Sequence, residues 1–76
     1  MNKERRKQLQ SVIEALEGAK ETLDVLNEEE REYYDNMPES IQNGEKGERS
    51  SECIDSLDNA ISELEDVIYN INQAIE

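Results

Sequence analysis

Carboxylates are the side chains whose spacing most suggests chemistry in this 76-residue chain. Twenty acidic residues against eight basic ones give a formal net charge of −12. Residues three or four apart share one face of a helix, and a turn rises about 5.4 Å. Nine acids with this spacing form a candidate acidic face: Glu14, Glu17, Glu21, Asp24, Glu28, Asp55, Asp58, Glu65 and Asp66. Such a row can imitate nucleic-acid phosphates, or it can simply keep a small helical protein soluble.

The sequence has few of the residues that commonly act in enzyme active sites. Histidine is absent, and with it the commonest general acid-base group and zinc ligand. Cys53, the one thiol, has Glu52 and Asp55 as neighbours, which disfavour the reactive thiolate, so we expect a packed apolar residue there. No calcium loop or glycine-rich phosphate loop is present. The sequence therefore predicts no enzymatic activity, no metal site and no cofactor.

A small aromatic group near the middle of the chain is a candidate contact site. Its residues combine the aromatic and apolar side chains with the few bases of an acidic sequence: Arg31, Tyr33, Tyr34, Met37, Lys46 and Arg49. They are suited to a protein partner or to a small anionic nucleotide. The alternative is structural, with Tyr33 closing a helical core and Tyr34 covering a seam between two chains.

Charge distribution limits the choice of partner. Bases crowd the first seven residues, whereas seven acids and no base lie between Ser50 and Glu76. This balance disfavours direct binding to nucleic acid or to anionic membranes. No apolar run approaches the ~20 residues that span a bilayer, and the basic start is not followed by the apolar stretch of a signal peptide. With one cysteine no internal disulfide forms, and we expect a cytoplasmic protein.

The second half of the chain is a seven-residue repeat. Each copy pairs a small or medium apolar residue with isoleucine, and a further aliphatic residue follows three positions later: Cys53-Ile54, Leu57, Ala60-Ile61, Leu64, Val67-Ile68, Ile71 and Ala74-Ile75. This spacing is typical of a coiled-coil helix. It predicts a helix over residues 45–75, with a later start capped by Ser50 or Ser51 as the alternative.

The first half predicts a longer helix over residues 3–36, capped by Asn2. Two lines of side chains give it an apolar stripe: Leu9, Leu16 and Leu23 in one, and Val12, Ala19, Leu26 and Tyr33 in the other. Glu30 interrupts the first line. Pro38 ends the helix, residues 37–44 form a linker in which Ile41 anchors a short turn, and Asn43 caps the second helix.

The two stripes predict an all-α fold, an antiparallel two-helix hairpin resembling a coiled coil, in one domain over residues 1–76. A register in which paired residue numbers add to 87 places the turn at Asn43-Gly44 and Glu30 opposite Leu57. A register of 80 fits almost as well. Five residues stay outside the seam and predict a homodimer that forms a four-helix bundle: Ile13, Cys53, Ala60, Val67 and Ala74.

The segment around the turn carries a resemblance. Tyr-Tyr-Asp-Asn-Met-Pro-Glu-Ser-Ile-Gln at 33–42, Gly-Glu-Lys-Gly-Glu at 44–48 and the acidic repeat that follows resemble small uncharacterised acidic helical proteins of phages and prophages of Gram-positive bacteria. The resemblance covers roughly residues 14–76. It implies a phage or mobile-element setting and no particular activity.

The function expected from these features is binding rather than catalysis. The first expectation is an inhibitor or adaptor that acts on a host protein, and imitation of nucleic acid by the acidic face is one way in which it could act. One alternative is a sponge that holds a small anionic signalling nucleotide between two chains, using Arg31, Lys46 and Arg49. A purely structural oligomerisation module is the third.

Overall fold

The computed structural model describes residues 1–76 and contains three helices: α1 (Lys3–Asp35), α2 (Glu39–Gln42) and α3 (Glu45–Ile75). The two long helices lie side by side and antiparallel, and the one-turn α2 closes the tip between them. The hairpin measures 58 × 15 × 12 Å. This confirms the predicted all-helical hairpin. None of its helices combines the length and the apolar character that a bilayer crossing requires.

The start of α1 agrees with the sequence. The Asn2 side chain accepts a 2.8 Å hydrogen bond from the backbone N–H of Arg5, which satisfies one of the free donors at a helix N-terminus. The predicted N-terminal cap is therefore confirmed. The helix ends at Asp35, within one residue of the predicted end, because Pro38 disfavours helical geometry at Met37.

The tip differs from the prediction in two respects. Asn43 does not cap α3, because it ends α2 and its backbone N–H donates to the Glu39 carbonyl. Gly44 precedes α3 without any side-chain cap. Ile41 is exposed and does not anchor the tip. Instead, the Gln42 amide donates a 2.8 Å hydrogen bond to the backbone carbonyl of Tyr34, which ties α2 to the end of α1.

Gly47 lets α2 pack directly on α3. It is buried, and a Cβ atom at this position would collide with the backbone of Gln42. Gly18, in the middle of α1, has open space where its Cβ would lie. The two glycines are therefore not equivalent, since only Gly47 is required by a close backbone approach.

The inner line of α3 is the predicted one. Ile54 is buried, and the other inward residues are half-buried along the length of the helix: Leu57, Ile61, Leu64, Ile68, Ile71 and Ile75. These side chains form the long side of the seam. Cys53, Val67 and Ala74 stay exposed beside them, and Ala60 is half-buried.

The inner face of α1 is displaced by one residue from the prediction. Leu9, Leu16, Leu23 and Glu30 are half-buried as one line, but the second line is Ile13, Lys20, Asn27 and Tyr34. Ile13 is only 2% exposed and Asn27 only 6%. Ile13 is thus the most buried apolar side chain within the hairpin and is not free for a second chain, contrary to the prediction.

The displaced line leaves predicted core residues outside. Val12 is 44% exposed, and Leu26 and Tyr33 are each 47% exposed. From Leu9 to Leu16, a step of three residues followed by four passes through Val12, and a step of four followed by three passes through Ile13. Both patterns follow one face of a helix, so spacing alone does not decide which of the two lines faces α3. The second pattern is possible because Lys20 and Asn27 find polar partners on α3, which removes the cost of burying them unpaired.

Polar contacts between the helices define the register. Lys20 Nζ lies 3.3 Å from Glu65 Oε1, and Asn27 Nδ2 donates a 2.7 Å hydrogen bond to Asp58 Oδ1. Both pairs of residue numbers add to 85, so the register lies between the two predicted values. Glu30, which was predicted to lie opposite Leu57, has a polar partner on α3. Its carboxylate accepts a 2.6 Å hydrogen bond from the hydroxyl of Ser50.

Candidate binding surfaces

The hairpin has two broad sides, and two contacts identify the residues that meet on each. On one side, Lys46 Nζ lies 5.9 Å from the ring centroid of Tyr33. On the other, Arg31 Nη2 lies 2.7 Å from Asp58 Oδ2. Residues seven apart repeat the same position on a helix, so each contact assigns a whole line of α1 and a whole line of α3 to its side.

The Tyr33 side has a strip of side chains without charge along its middle. Stepping by sevens from Tyr33 and from Lys46 gives Arg5 and Lys46 at the two ends and eight residues between them, which we call the uncharged face: Val12, Ala19, Leu26, Tyr33, Cys53, Ala60, Val67 and Ala74. All are exposed except the half-buried Ala60. From Val12 to Tyr33 the face is about 32 Å long, and Glu29 and Glu63 border it. Exposed apolar side chains grouped in this way are a candidate site of association.

The Arg31 side carries the candidate acidic face. Glu17, Glu21 and Asp24 of α1 line one open groove together with Glu65 of α3. Lys20 also lines it, and its pairing with Glu65 neutralises one carboxylate. The structure thus brings four of the nine predicted acids from two helices onto a single surface.

Of the other five acids, Asp55 and Asp58 lie nearer the tip on the same side, and the remaining three are exposed. Glu14 and Glu28 continue the α1 row by three and four residues and are exposed. Asp55 lines a second groove, with Arg31, nearer the tip. Asp58 lies in the contact between the helices, and Asp66 is exposed beside Glu65. The acidic face and the uncharged face therefore lie on opposite sides of the seam.

Asp58 is the best-ordered carboxylate of the acidic face. The hydrogen bond from the Arg31 guanidinium, followed by the one from the Asn27 amide, lowers the pKa of Asp58 below its ordinary value. The amide oxygen of Asn27 is buried without a partner. Asp58 is consequently held in its ionised form by two donors, and Glu65, one heptad further along α3, is paired with Lys20.

The six predicted tip residues do not form one site. Arg31 and Tyr34 line a groove on the acidic side, whereas Lys46 and Arg49 line a shallow depression with Glu45. Arg49 Nη2 lies 3.1 Å from Glu45 Oε1. Tyr33 is on the uncharged face, and Met37 is half-buried in the linker. The three bases are thus each engaged within the chain, two by carboxylates and one by an aromatic ring.

Cys53 is exposed and lies on the uncharged face, so in a single chain it is not the packed residue that was predicted. No group of three or more cysteine, aspartate and glutamate side chains is arranged to hold a metal ion. The polar inner residues Lys20 and Asn27 were missed by the sequence interpretation. Their signal was the spacing of four residues from Leu16 and Leu23, which continues the line that begins at Leu9 and Ile13.

Comparisons of the chain with protein-family models, with curated proteins and with solved structures found no match. No residue role is therefore transferred from another protein.

Proposed function

We propose that this protein is a non-enzymatic binder that presents its acidic face to a basic groove of a host protein, where it takes the place of nucleic acid. The observation that carries the proposal is the separation of the two sides of the hairpin. Glu17, Glu21 and Asp24 of α1 line one groove with Glu65 of α3, and the opposite side has the uncharged face. A setting in a phage or mobile element fits such an inhibitor.

The spacing of the carboxylates supports imitation of a row of nucleic-acid phosphates. Successive turns of a helix repeat a carboxylate about every 5.4 Å, and two helices give two roughly parallel rows. Asp58 provides a fixed charge within the rows, because Arg31 and Asn27 hold it. The net charge of −12 adds long-range attraction to a basic surface, which raises the association rate at low salt.

Self-association is the second part of the proposal. In a single chain only Ile13 and Ile54 are buried apolar residues, which is a small core for a hairpin 58 Å long. A second chain packed on the uncharged face would bury Val12, Leu26 and Val67 and complete a four-helix bundle. Both acidic faces would then point outward on opposite sides of the homodimer.

No contact favours the alternative of a sponge for an anionic nucleotide. Arg31 already binds Asp58, and Arg49 already binds Glu45. An anion at either base would have to displace a carboxylate of the same chain.

The test is capture of host proteins on the immobilised chain, followed by elution with duplex DNA. The face variant neutralises four grouped acids that have no ion pair: Glu14→Gln, Glu17→Gln, Glu21→Gln and Asp24→Asn. A control neutralises four exposed acids elsewhere on the helices: Glu29→Gln, Glu32→Gln, Glu52→Gln and Glu63→Gln. Each set changes the formal net charge from −12 to −8, so the two variants differ only in where the charge is lost.

We expect a nucleic-acid-binding protein to be retained by the native chain and by the control, to be released by duplex DNA, and to be lost from the face variant. If the two variants retain it equally, or if DNA does not release it, the acidic face is not a nucleic-acid mimic.

A further inference from the structure

We propose that the occupant of the uncharged face is a second copy of this chain in the antiparallel orientation, so that the two tips lie at opposite ends of the dimer. The proposal rests on the self-association proposed above and adds the arrangement of the two chains. It is carried by the charges at the two ends of the hairpin, together with the position of the uncharged face between them.

The uncharged face has small residues at its centre. In the register set by Lys20 and Glu65, Ala19 of α1 lies level with a point between Ala60 and Val67 of α3. These alanines are midway between Tyr33 at one end of the face and Ala74 at the other. Leu26 and Val12 flank the centre on α1, as Cys53 and Val67 do on α3. Small side chains at the centre allow two hairpins to approach closely there.

Apolar packing alone does not fix the orientation. With both tips at the same end, α1 packs on α3 of the second copy, and Ala19 comes between Ala60 and Val67. With the tips at opposite ends, α1 packs on its own counterpart, Ala19 meets Ala19, and Leu26 meets Val12. Both arrangements place uncharged residues opposite uncharged residues, so the choice depends on the charged ends.

The two ends of the hairpin carry opposite charges. The basic arm, which we define as residues 3–7, has four bases and one acid, a net charge of +3. The acidic tip, residues 28–49, has eight acids and three bases, a net charge of −5. Tips at the same end would set the two acidic tips against each other, and each basic arm beside the end of α3 of the second copy, which carries no base. Opposite ends set each arm against the tip of the other copy.

Symmetry then assigns particular neighbours. In the antiparallel dimer the two-fold axis passes near Ala19, and residues equally far from it on α1 meet across the interface. Arg5 precedes Ala19 by fourteen residues and Tyr33 follows it by fourteen, so Arg5 comes beside Tyr33 of the second copy. Lys46 of that copy already lies 5.9 Å from the ring centroid of Tyr33. The partner of Arg5 is therefore the carboxylate of Glu32, the residue before Tyr33, in a charge-assisted hydrogen bond.

The experiment measures the distance between the two tips in solution. Asn43→Cys, in a chain that also carries Cys53→Ala, places one spin label at the exposed tip of each copy. Double electron–electron resonance on the full chain then reports the separation, and analytical ultracentrifugation of the same sample reports the mass. The antiparallel dimer predicts roughly 60 Å, about one hairpin length, whereas tips at the same end predict less than about 30 Å.

Charge reversal in the basic arm gives a second measurement, because only the antiparallel dimer places the arm against the acidic tip. We expect Arg5→Glu with Arg6→Glu to raise the dissociation constant at least severalfold at low salt, and by less at high salt, where the arm–tip attraction is screened. A dimer with the short distance, or one whose dissociation constant the reversal leaves unchanged, overturns the orientation and leaves self-association intact. A monomeric mass at micromolar concentration overturns the self-association as well.

Discussion

Asn27 Nδ2 donates a 2.7 Å hydrogen bond to Asp58 Oδ1, and this bond links a buried polar residue of α1 to the acidic face on α3. Asn27 occupies an inner position where an apolar residue would pack, and its own amide oxygen has no partner. A single asparagine at such a position specifies how two helices are aligned, at a cost in stability. The same bond therefore fixes the register and orders the carboxylate that Arg31 also holds.

Replacing Asn27 with leucine should stabilise the hairpin. The change removes a buried oxygen without a partner and buries an aliphatic side chain, so we expect the free energy of unfolding to rise by about 1–2 kcal/mol. Urea denaturation followed by circular dichroism measures this. Asn27→Ala is the control and should lower stability, because it removes the hydrogen bond without filling the space. If Asn27→Leu lowers the free energy of unfolding instead, the hydrogen bond to Asp58 contributes more stability than the burial of the unpaired amide oxygen costs.

Stability should fall at acid pH in a way that depends on Asp58. Because the pKa of Asp58 is lowered in the folded chain, its stabilising contribution is present above the unfolded pKa, about 3.9, and is lost as the pH falls through the folded value. Asp58→Asn should flatten this part of the profile. Urea midpoints measured from neutral pH downward test it. Asp66→Asn, an exposed residue without an ion pair, should leave the profile unchanged.

Gly47 and Gly18 should respond in opposite directions to alanine. Gly47→Ala drives a methyl group into the backbone of Gln42 and should cost about 1–3 kcal/mol by displacing α2. Gly18→Ala meets open space and should gain about 1 kcal/mol from helix propensity alone. Thermal and urea unfolding of the two variants give the comparison. Equal effects of the two substitutions would show that α2 does not pack on α3 in solution.

A charge on the uncharged face should prevent self-association. Leu26→Glu places a carboxylate in the proposed interface, and sedimentation velocity at micromolar concentration should show a monomer where the native chain is a dimer. The matched control is Val25→Glu, because Val25 is 54% exposed but is turned about 100° away from Leu26 on the same helix. The control should dimerise like the native chain. Identical masses for both variants would remove the uncharged face as the interface.

How far the sequence predicts this fold is clearest in the two long helices. The isoleucine repeat from Ile54 to Ile75 has one dominant apolar line, so its inner face was predicted correctly. On α1 the apolar residues are spread over two adjoining lines, and the sequence favoured Val12 and Leu26 over Ile13 and Asn27. Hydrophobicity alone selects the wrong line there, because it gives no weight to the partners that α3 offers to buried polar groups.

The candidate sites, like the helices, were predicted only in part. Spacing along each helix was enough to group the acids of α1 and those of α3. It was not enough to group the tip residues, because Arg31 and Lys46 come from different helices and the register decides on which side each lies. A shift of one residue on α1 moves Tyr33 from the core to the surface and Tyr34 from the surface inward.

By itself, the sequence determined the helices, their approximate ends, the acidic character and the absence of histidine chemistry, because these follow from composition, capping residues and local periodicity. Only the tertiary structure decided which line of α1 faces α3, the register, and hence the separation of an uncharged face from an acidic one. Those features depend on long-range pairs such as Lys20 with Glu65 and Asn27 with Asp58. The energy of such pairs exists only once the two helices are in contact.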